Sequence, residues 1–406
     1  MGAFDIQGIS PADLISRFGS PLYIYDASII ERQIRRLQQA FRGTPTRIKY
    51  AAKALTTLGV LQVVRQCGAG VDVVSVNEAK LAMRAGYQPS DIMFTSSGVV
   101  FDEIVEAVSL GIQINVDNLS ALDKFGRAFG SEHPCCVRLN PHIMAGGNLK
   151  ISTGHKHSKF GISVEQVDRI VAVVKQHHIR INGLHIHTGS EISDANVFLQ
   201  MGDVFFGLAQ QFPDLDFIDF GGGFKVPYKP GDVETDLNEV GSRMSEAFNA
   251  FCTRYGRQLE LWIEPGKFIV SEAGKLLTTV TVVKESPALT FAGVDSGLNH
   301  LIRPMMYDAY HEITNVSNVN GPVRKYNVVG NMCETDTFGA DRMLQEVSEG
   351  DILMIHNAGA YGFSMSSQYN SRFRPAEVLI RNGQAHLIRQ RESFDDLLRG
   401  QIVLAN

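Results

Sequence analysis

The sequence predicts a (β/α)8 barrel followed by a mainly-β domain, an α/β + β chain, and three observations carry that prediction. Eight short apolar runs rich in β-branched residues recur over the first two thirds of the chain, at residues 48–52, 71–75, 92–95, 112–116, 136–139, 181–187, 217–220 and 261–264. The stretches between them, among them NEAKLAMRAG, DEIVEAVSLG and VEQVDRIVAVVKQ, place apolar residues three and four apart, as a helix covering a sheet requires. After Glu264 the alternation stops, and KLLTTVTVVKES, TFAGVD, KYNVVG, GDILMIHNAG and AEVLIRNGQAHLIRQ read as strands joined by tight turns.

Taken in order, residues 1–26 precede the barrel and are expected to pack with the β domain. Residues 27–270 carry the eight strand-helix repeats, and residues 271–406 form the rest of the β domain. An open doubly wound sheet has the same alternation. A count that ends at eight favours closure into a barrel.

At 406 residues, 44% hydrophobic and 20% charged, the composition is that of an ordinary globular protein. The net charge of -5 comes from interspersed acids and bases, which excludes a basic nucleic-acid or membrane-binding surface and leaves small-molecule chemistry. Five cysteines, two of them adjacent, fit no disulfide framework and imply a reducing compartment. With neither a basic-then-apolar leader nor an apolar run of about 18 residues, the expected location is the cytoplasm.

In a barrel, chemistry gathers where strands end and βα loops begin. Four unusual segments fall there: KYAAKA after the first strand, HIHTGS after the sixth, DFGGGF after the seventh and IEPGKF after the eighth. Lys53, flanked by alanines, would project into the mouth among apolar walls, where burial favours the neutral amine needed to condense with an aldehyde. A solvated lysine at a strand end is the commoner use of that residue. Gly221, Gly222 and Gly223 let backbone amides turn toward an anion such as a phosphate, and Ser190 adds a hydroxyl; a flexible turn is the plain alternative. His185 and His187 alternate along one strand, so a metal pair is considered and ranked below a flat ring stacked on an aromatic ligand or a core histidine. No metal is expected. Glu264, stiffened by Pro265 and Gly266, can hold a proton on an aromatic ring nitrogen or pair with a lysine. His142, His155 and His157 lie in a glycine-rich loop, 141–163, and read as a solvated or gating surface.

The combination of YAAKA, HIHTGS, GGGF, EPGKF, VDSGLNHLIRPMMYDAYHEI, CETD and GAYGFSMSSQYNSRFRPAEVL resembles the diaminopimelate decarboxylases, in the alanine-racemase-fold group of pyridoxal-phosphate (PLP) enzymes. Single motifs such as GGG are unspecific; CETD together with LIRP and SMSSQYNSR is specific. The resemblance spans nearly the whole chain and implies a pyridoxal 5'-phosphate cofactor held by Lys53 as a Schiff base, with His187 stacked on it. It further implies phosphate contacts from Ser190, Gly222, Gly223 and Tyr361, and a pyridine-nitrogen partner in Glu264. Asp72, Pro265, Gly266 and Lys267 complete the implied cofactor set. Arg303, Tyr307, Lys267 and Tyr361 fall at substrate positions, Glu334 at the acid receiving the distal ammonium, and Cys333 at the acid that protonates Cα after carbon dioxide leaves.

The resemblance also implies a homodimer whose β domain supplies Cys333 and Glu334 to the partner's barrel. One position departs from the family: EPGR is usual, its arginine gripping the distal carboxylate, and here residue 267 is lysine, which keeps the charge and loses the bidentate fork. The implied reaction is decarboxylation of meso-2,6-diaminopimelate to L-lysine, the last step of lysine biosynthesis. The alternatives are a related PLP decarboxylase of another basic amino acid or carboxylated polyamine, and a non-catalytic PLP carrier. No nucleic-acid or membrane partner is expected.

Overall fold

A computed structural model describes residues 4–143 and 153–404, and they divide into two compact units. One comprises residues Glu31–Pro227 and Val233–Ile269; the other takes the chain up to Ile30, Tyr228–Asp232 and everything from Val270.

The first strand, β1 (Leu22–Asp26), belongs to the second unit. The first unit then builds β2 (Thr46–Ala51), β3 (Gly70–Val73), β4 (Ile92–Thr95), β5 (Gln113–Val116), β6 (Cys135–Asn140), a two-residue β7 (Ile162–Ser163), β8 (Ile181–Ile186), β9 (Phe217–Asp219) and β10 (Glu260–Ile263). Apart from β7, which pairs only with β6, each strand is parallel to its neighbours in the order β2-β3-β4-β5-β6-β8-β9-β10. The pairing of β10 with β2, Leu261 opposite Thr46 and Ile263 opposite Ile48, closes the ring. Closure is the fact that separates a barrel from an open sheet, and it puts the C-terminal ends of all eight strands on one rim.

Local sequence explains where the covering helices start. Ser75 accepts a hydrogen bond from the Glu78 amide, Asn118 from the Ala121 amide, and Asp236 from the amides of Asn238 and Glu239, each capping the first turn. Inside the ring Met93, Cys136, Phe217 and Trp262 pack together, with the last two rings stacked 3.7 Å apart. This interior is a filled core, so ligands must act at its rim.

The second unit adds β11 (Gly274–Glu285), β12 (Thr290–Val294), β13 (Ile313–Asn315), β14 (Val323–Val329), β15 (Thr337–Gln345), β16 (Ile352–Ile355), β17 (Ala376–Arg381) and β18 (Gln384–Arg389). β1 lies between β11, antiparallel, and β17, parallel. Its alternate residues Leu22 and Ile24 join Leu277, Met354, Val378 and Ile380 in one buried cluster. β13 and β15 escape a reading by apolar alternation, since β13 has three residues and β15 exposes Ala340, Asp341 and Met343 in its middle.

Candidate active site

Lys53 lies in a short 3-10 turn, Ala52–Ala54, directly after β2, with both flanking alanines buried. Its positive charge is felt by Asp72, Glu264, His185 and His187. The amine therefore stands near buried Asp72, Glu264 and His185 and half-buried His187 at the rim. Pro265 and Gly266 pack against the same strand end: the Ala51 amide donates to the Pro265 carbonyl at 3.4 Å, and a Cβ at Gly266 would lie 3.2 Å from that of Ala51.

Glu264 is buried, and its Oε2 meets His185 Nε2 at 3.2 Å while Oε1 has no hydrogen-bond partner among the described residues. Burial raises the Glu264 carboxyl pKa, against which the charges of Lys53 and Arg138 act. Burial also drives the His185 pKa well below its ordinary value, aided by Arg138 and Lys53, which favours a neutral ring facing Glu264. Oxygens of Asp219 and Glu264 and a ring nitrogen of His185 all lie within 4.8 Å of one another. Asp72, likewise buried, has its pKa raised by desolvation and by the negative charge of Glu264, and lowered by Lys53. His187 turns elsewhere: the Gly222 amide donates to its Nδ1 at 3.3 Å. The two histidines weighed as a metal pair thus serve different partners.

The glycine triplet has no room for side chains. A Cβ on Gly221 (φ +65) would lie 2.8 Å from His187 Nδ1, one on Gly222 would overlap the Glu264 carbonyl oxygen, and one on Gly223 (φ +103) would sit 2.7 Å from the Gly189 carbonyl. The turn is stapled to the loop after β8 by the Ile192 amide, which donates to the Gly223 carbonyl at 2.8 Å. Ser190 lies in that loop, half-buried between Gly189 and Glu191, both at positive φ. Glu191, which no sequence motif singled out, forms an ion pair with Lys267, Oε1 to Nζ 3.1 Å. Of the histidine-rich loop, residues 144–152 lie outside the described residues; His142 Nδ1 is 3.8 Å from Glu165, and His155 Nδ1 accepts from the His157 amide.

The remaining candidates lie in the second unit. Arg303 opens the short helix Arg303–Tyr307, buried, with its guanidinium 4.6 Å from the Tyr228 ring centroid and Nη1 3.2 Å from His311 Nε2. His311 Nδ1 sits 2.8 Å from the His356 carbonyl and must donate to it, leaving Nε2 free to accept from arginine. Burial and then the Arg303 charge push the His311 pKa down to about 3, which keeps it in that neutral form. Tyr307 ends the helix half-buried, and Tyr361 stands at φ +56.

Cys333 and Glu334 are exposed on a turn that Asp336 ties down. The Asp336 carboxylate accepts from the amides of Leu298 at 2.8 Å and Met332 at 3.2 Å, and its backbone carbonyl accepts from Gly330 at 2.7 Å. Gly297 and Gly330 flank that carboxylate too closely to carry a Cβ. From the segment that follows Tyr361, Tyr369 donates its hydroxyl proton to Glu334, and Asn370 Nδ2 lies 3.3 Å from Cys333 Sγ.

The barrel residues fit pyridoxal phosphate on their own chemistry. A buried carboxylate with a bare oxygen suits a protonated ring nitrogen, a turn that excludes every Cβ suits a phosphate, and an amine on the same rim suits an aldehyde. Comparison with known proteins agrees. Residues 27–271 match the family described as pyridoxal-dependent decarboxylase, pyridoxal binding domain. A diaminopimelate decarboxylase of Methanothermobacter thermautotrophicus is 40% identical, covering 98% of this chain and 96% of that protein. That of Escherichia coli K12 is 36% identical over 95% of this chain and 94% of its own. The crystal structure of diaminopimelate decarboxylase from Helicobacter pylori complexed with L-lysine superposes with a TM-score of 0.89 at 32% identity, covering 96% of this chain and 98% of that one. A closed barrel carrying this rim, matched to that family over residues 27–271 and to relatives of up to 40% identity over nearly the full length, makes the chain a member of the diaminopimelate decarboxylase family of PLP-dependent carboxy-lyases.

Proposed function

We propose that Lys53, Glu264 and the glycine turn hold pyridoxal phosphate at the barrel rim, and that Cys333 of a second copy completes the site. The reaction is decarboxylation of meso-2,6-diaminopimelate to L-lysine and carbon dioxide. The observation that carries the assignment is Glu264, buried with Oε1 bare on the same rim as Lys53. When bound, the cofactor supplies an electron-withdrawing ring that accepts the charge left by departing carbon dioxide.

The chain's own residues do the rest. Lys53 supplies the amine that anchors the cofactor and is exchanged for the substrate's amine. Glu264, its other oxygen occupied by His185, keeps a proton on the ring nitrogen. His187, its Nδ1 accepting from Gly222, offers a flat neutral face. Ser190, Gly222, Gly223 and Tyr361 bind phosphate, with Asp72, Pro265 and Gly266 shaping the pocket. Arg303, Tyr307 and Lys267 meet substrate carboxylate, Glu334 receives the distal ammonium, and Cys333 delivers a proton to Cα. Lysine at 267 is already paired with Glu191 and presents a single contact where a guanidinium presents two. The protein acts as a homodimer, as the family resemblance implies, and in the cytoplasm, where its five cysteines, all free of disulfides, fit a reducing compartment.

Carbon dioxide release from meso-diaminopimelate, lysine and ornithine tests the substrate, with release expected from the first alone. Borohydride treatment followed by peptide mass analysis tests the anchor. Label should fall on Lys53, and a Lys53→Ala protein that still fixed cofactor would refute the assignment.

A further inference from the structure

Cys333 is exposed on a turn, and a thiol there donates a proton readily only if something receives the charge that sulfur retains. On the same turn and against it stand Glu334 and Tyr369, which are hydrogen-bonded to each other, and Asp336, which is committed to backbone amides. None of these is a cation. Among the described residues the donor directed at the sulfur is Asn370, whose Nδ2 lies 3.3 Å from Cys333 Sγ and 3.7 Å from Met332 Sδ.

That second contact settles which end of the amide faces the thiol. A thioether can only accept, so the side of Asn370 directed at Met332 must be NH2, and its other hydrogen points at Cys333. The backbone holds the amide in place: Asn370 sits at φ 54, ψ 27, a left-handed conformation that asparagine tolerates better than most residues. A segment distant in sequence therefore delivers a fixed N–H to the thiol. Sequence motifs placed both segments in one specific signature but gave no reason for their company.

We propose that Asn370 is a positioning residue for proton delivery by Cys333, orienting the sulfur and stabilising the negative charge it carries once its proton has gone. The proposal rests on the reading of Cys333 as proton donor. In that step the S–H bond breaks and its electron pair stays on sulfur, while the pair left on Cα by departing carbon dioxide takes the proton to form C–H. The Asn370 N–H then faces a thiolate instead of a thiol, a contact that strengthens as charge develops. Water returns a proton to sulfur before the next turnover.

The test compares Asn370→Asp, which keeps shape and tolerance for left-handed backbone but removes the donor, with Asn370→Gly, which removes the donor and relieves the backbone. Iodoacetamide alkylation of Cys333 in the holoenzyme, followed by mass analysis of its peptide across a pH series, reports the thiolate directly. Both variants should alkylate roughly three- to tenfold more slowly than the parent at a fixed pH on the rising limb, and kcat should fall with KM nearly unchanged. Identical alkylation profiles in all three proteins would overturn the proposal. Full turnover in Cys333→Ala would overturn the proton-donor reading instead, and the alkylation profile would still report the Asn370 contact.

Discussion

Lys49 shows how much a single side chain reveals once its surroundings are known. It is 1% exposed in β2, with Nζ 3.0 Å from the Asp91 carbonyl and 4.4 Å from the Trp262 ring centroid. Burial, reinforced by the charge of Arg47, lowers its pKa from 10.5 to about 8. Since the folded-state value lies below the unfolded one, the unfolded chain binds the extra proton between those two pH values, and the Lys49 contribution to stability rises with pH across that window. The rise should be on the order of 3 kcal/mol. Urea unfolding of the parent and of Lys49→Met from pH 7 to 10.5 should show the parent gaining stability relative to the variant by that amount across the window, and a difference that stays constant with pH would refute the assignment. In the sequence Lys49 is one more lysine in an alternating strand. Neither the aromatic ring beneath it nor the carbonyl at its tip lies within 40 residues in the chain.

Among elements, the glycine turns carry the most specific geometry. Gly222 lies against the end of β10, so a methyl group there must push the Glu264 backbone away. Gly222→Ala should cost about 1–3 kcal/mol of stability, as overpacking does, and should weaken cofactor binding at least roughly tenfold by displacing Glu264; chemical unfolding and a fluorescence titration of apoprotein measure the two effects. An unchanged affinity would mean that the turn and the carboxylate are not coupled. The triplet was visible in the sequence as an anion-binding candidate because glycine reports its conformational freedom by its identity. The partner that forbids a side chain was not visible, because it comes from another strand. The same holds for Gly297 and Gly330, which make room for Asp336 beneath the CETD turn. Strand and helix periodicity was legible for all eight barrel strands within about two residues at each end, whereas β13 and β15 lacked the apolar alternation that would have betrayed them.

For the whole molecule, the proposed dimer makes a prediction that neither unit makes alone. If Cys333 and Glu334 serve the barrel of a second copy, Lys53→Ala and Cys333→Ala proteins are each inactive, yet a mixture that exchanges subunits should recover up to roughly a quarter of parent activity through one intact site per hybrid. Sedimentation of the mixture and its carbon dioxide release test this together. No recovery after verified exchange would count against a shared site.

The sequence by itself determined the alternation of strands and helices, the end of that alternation after Glu264, and the residue types able to anchor a cofactor, because periodicity and chemical identity are properties of neighbours in the chain. Tertiary structure alone decided that β10 closes on β2, that Glu264 keeps one oxygen bare while His185 takes the other, that Lys267 is paired with Glu191, and that Asn370 reaches Cys333. Each of these joins groups separated by 37 to 215 residues (Asn370 to Cys333 and Leu261 to Thr46). Only folding brings such groups within hydrogen-bonding range, and only there do burial and charge set what they can do.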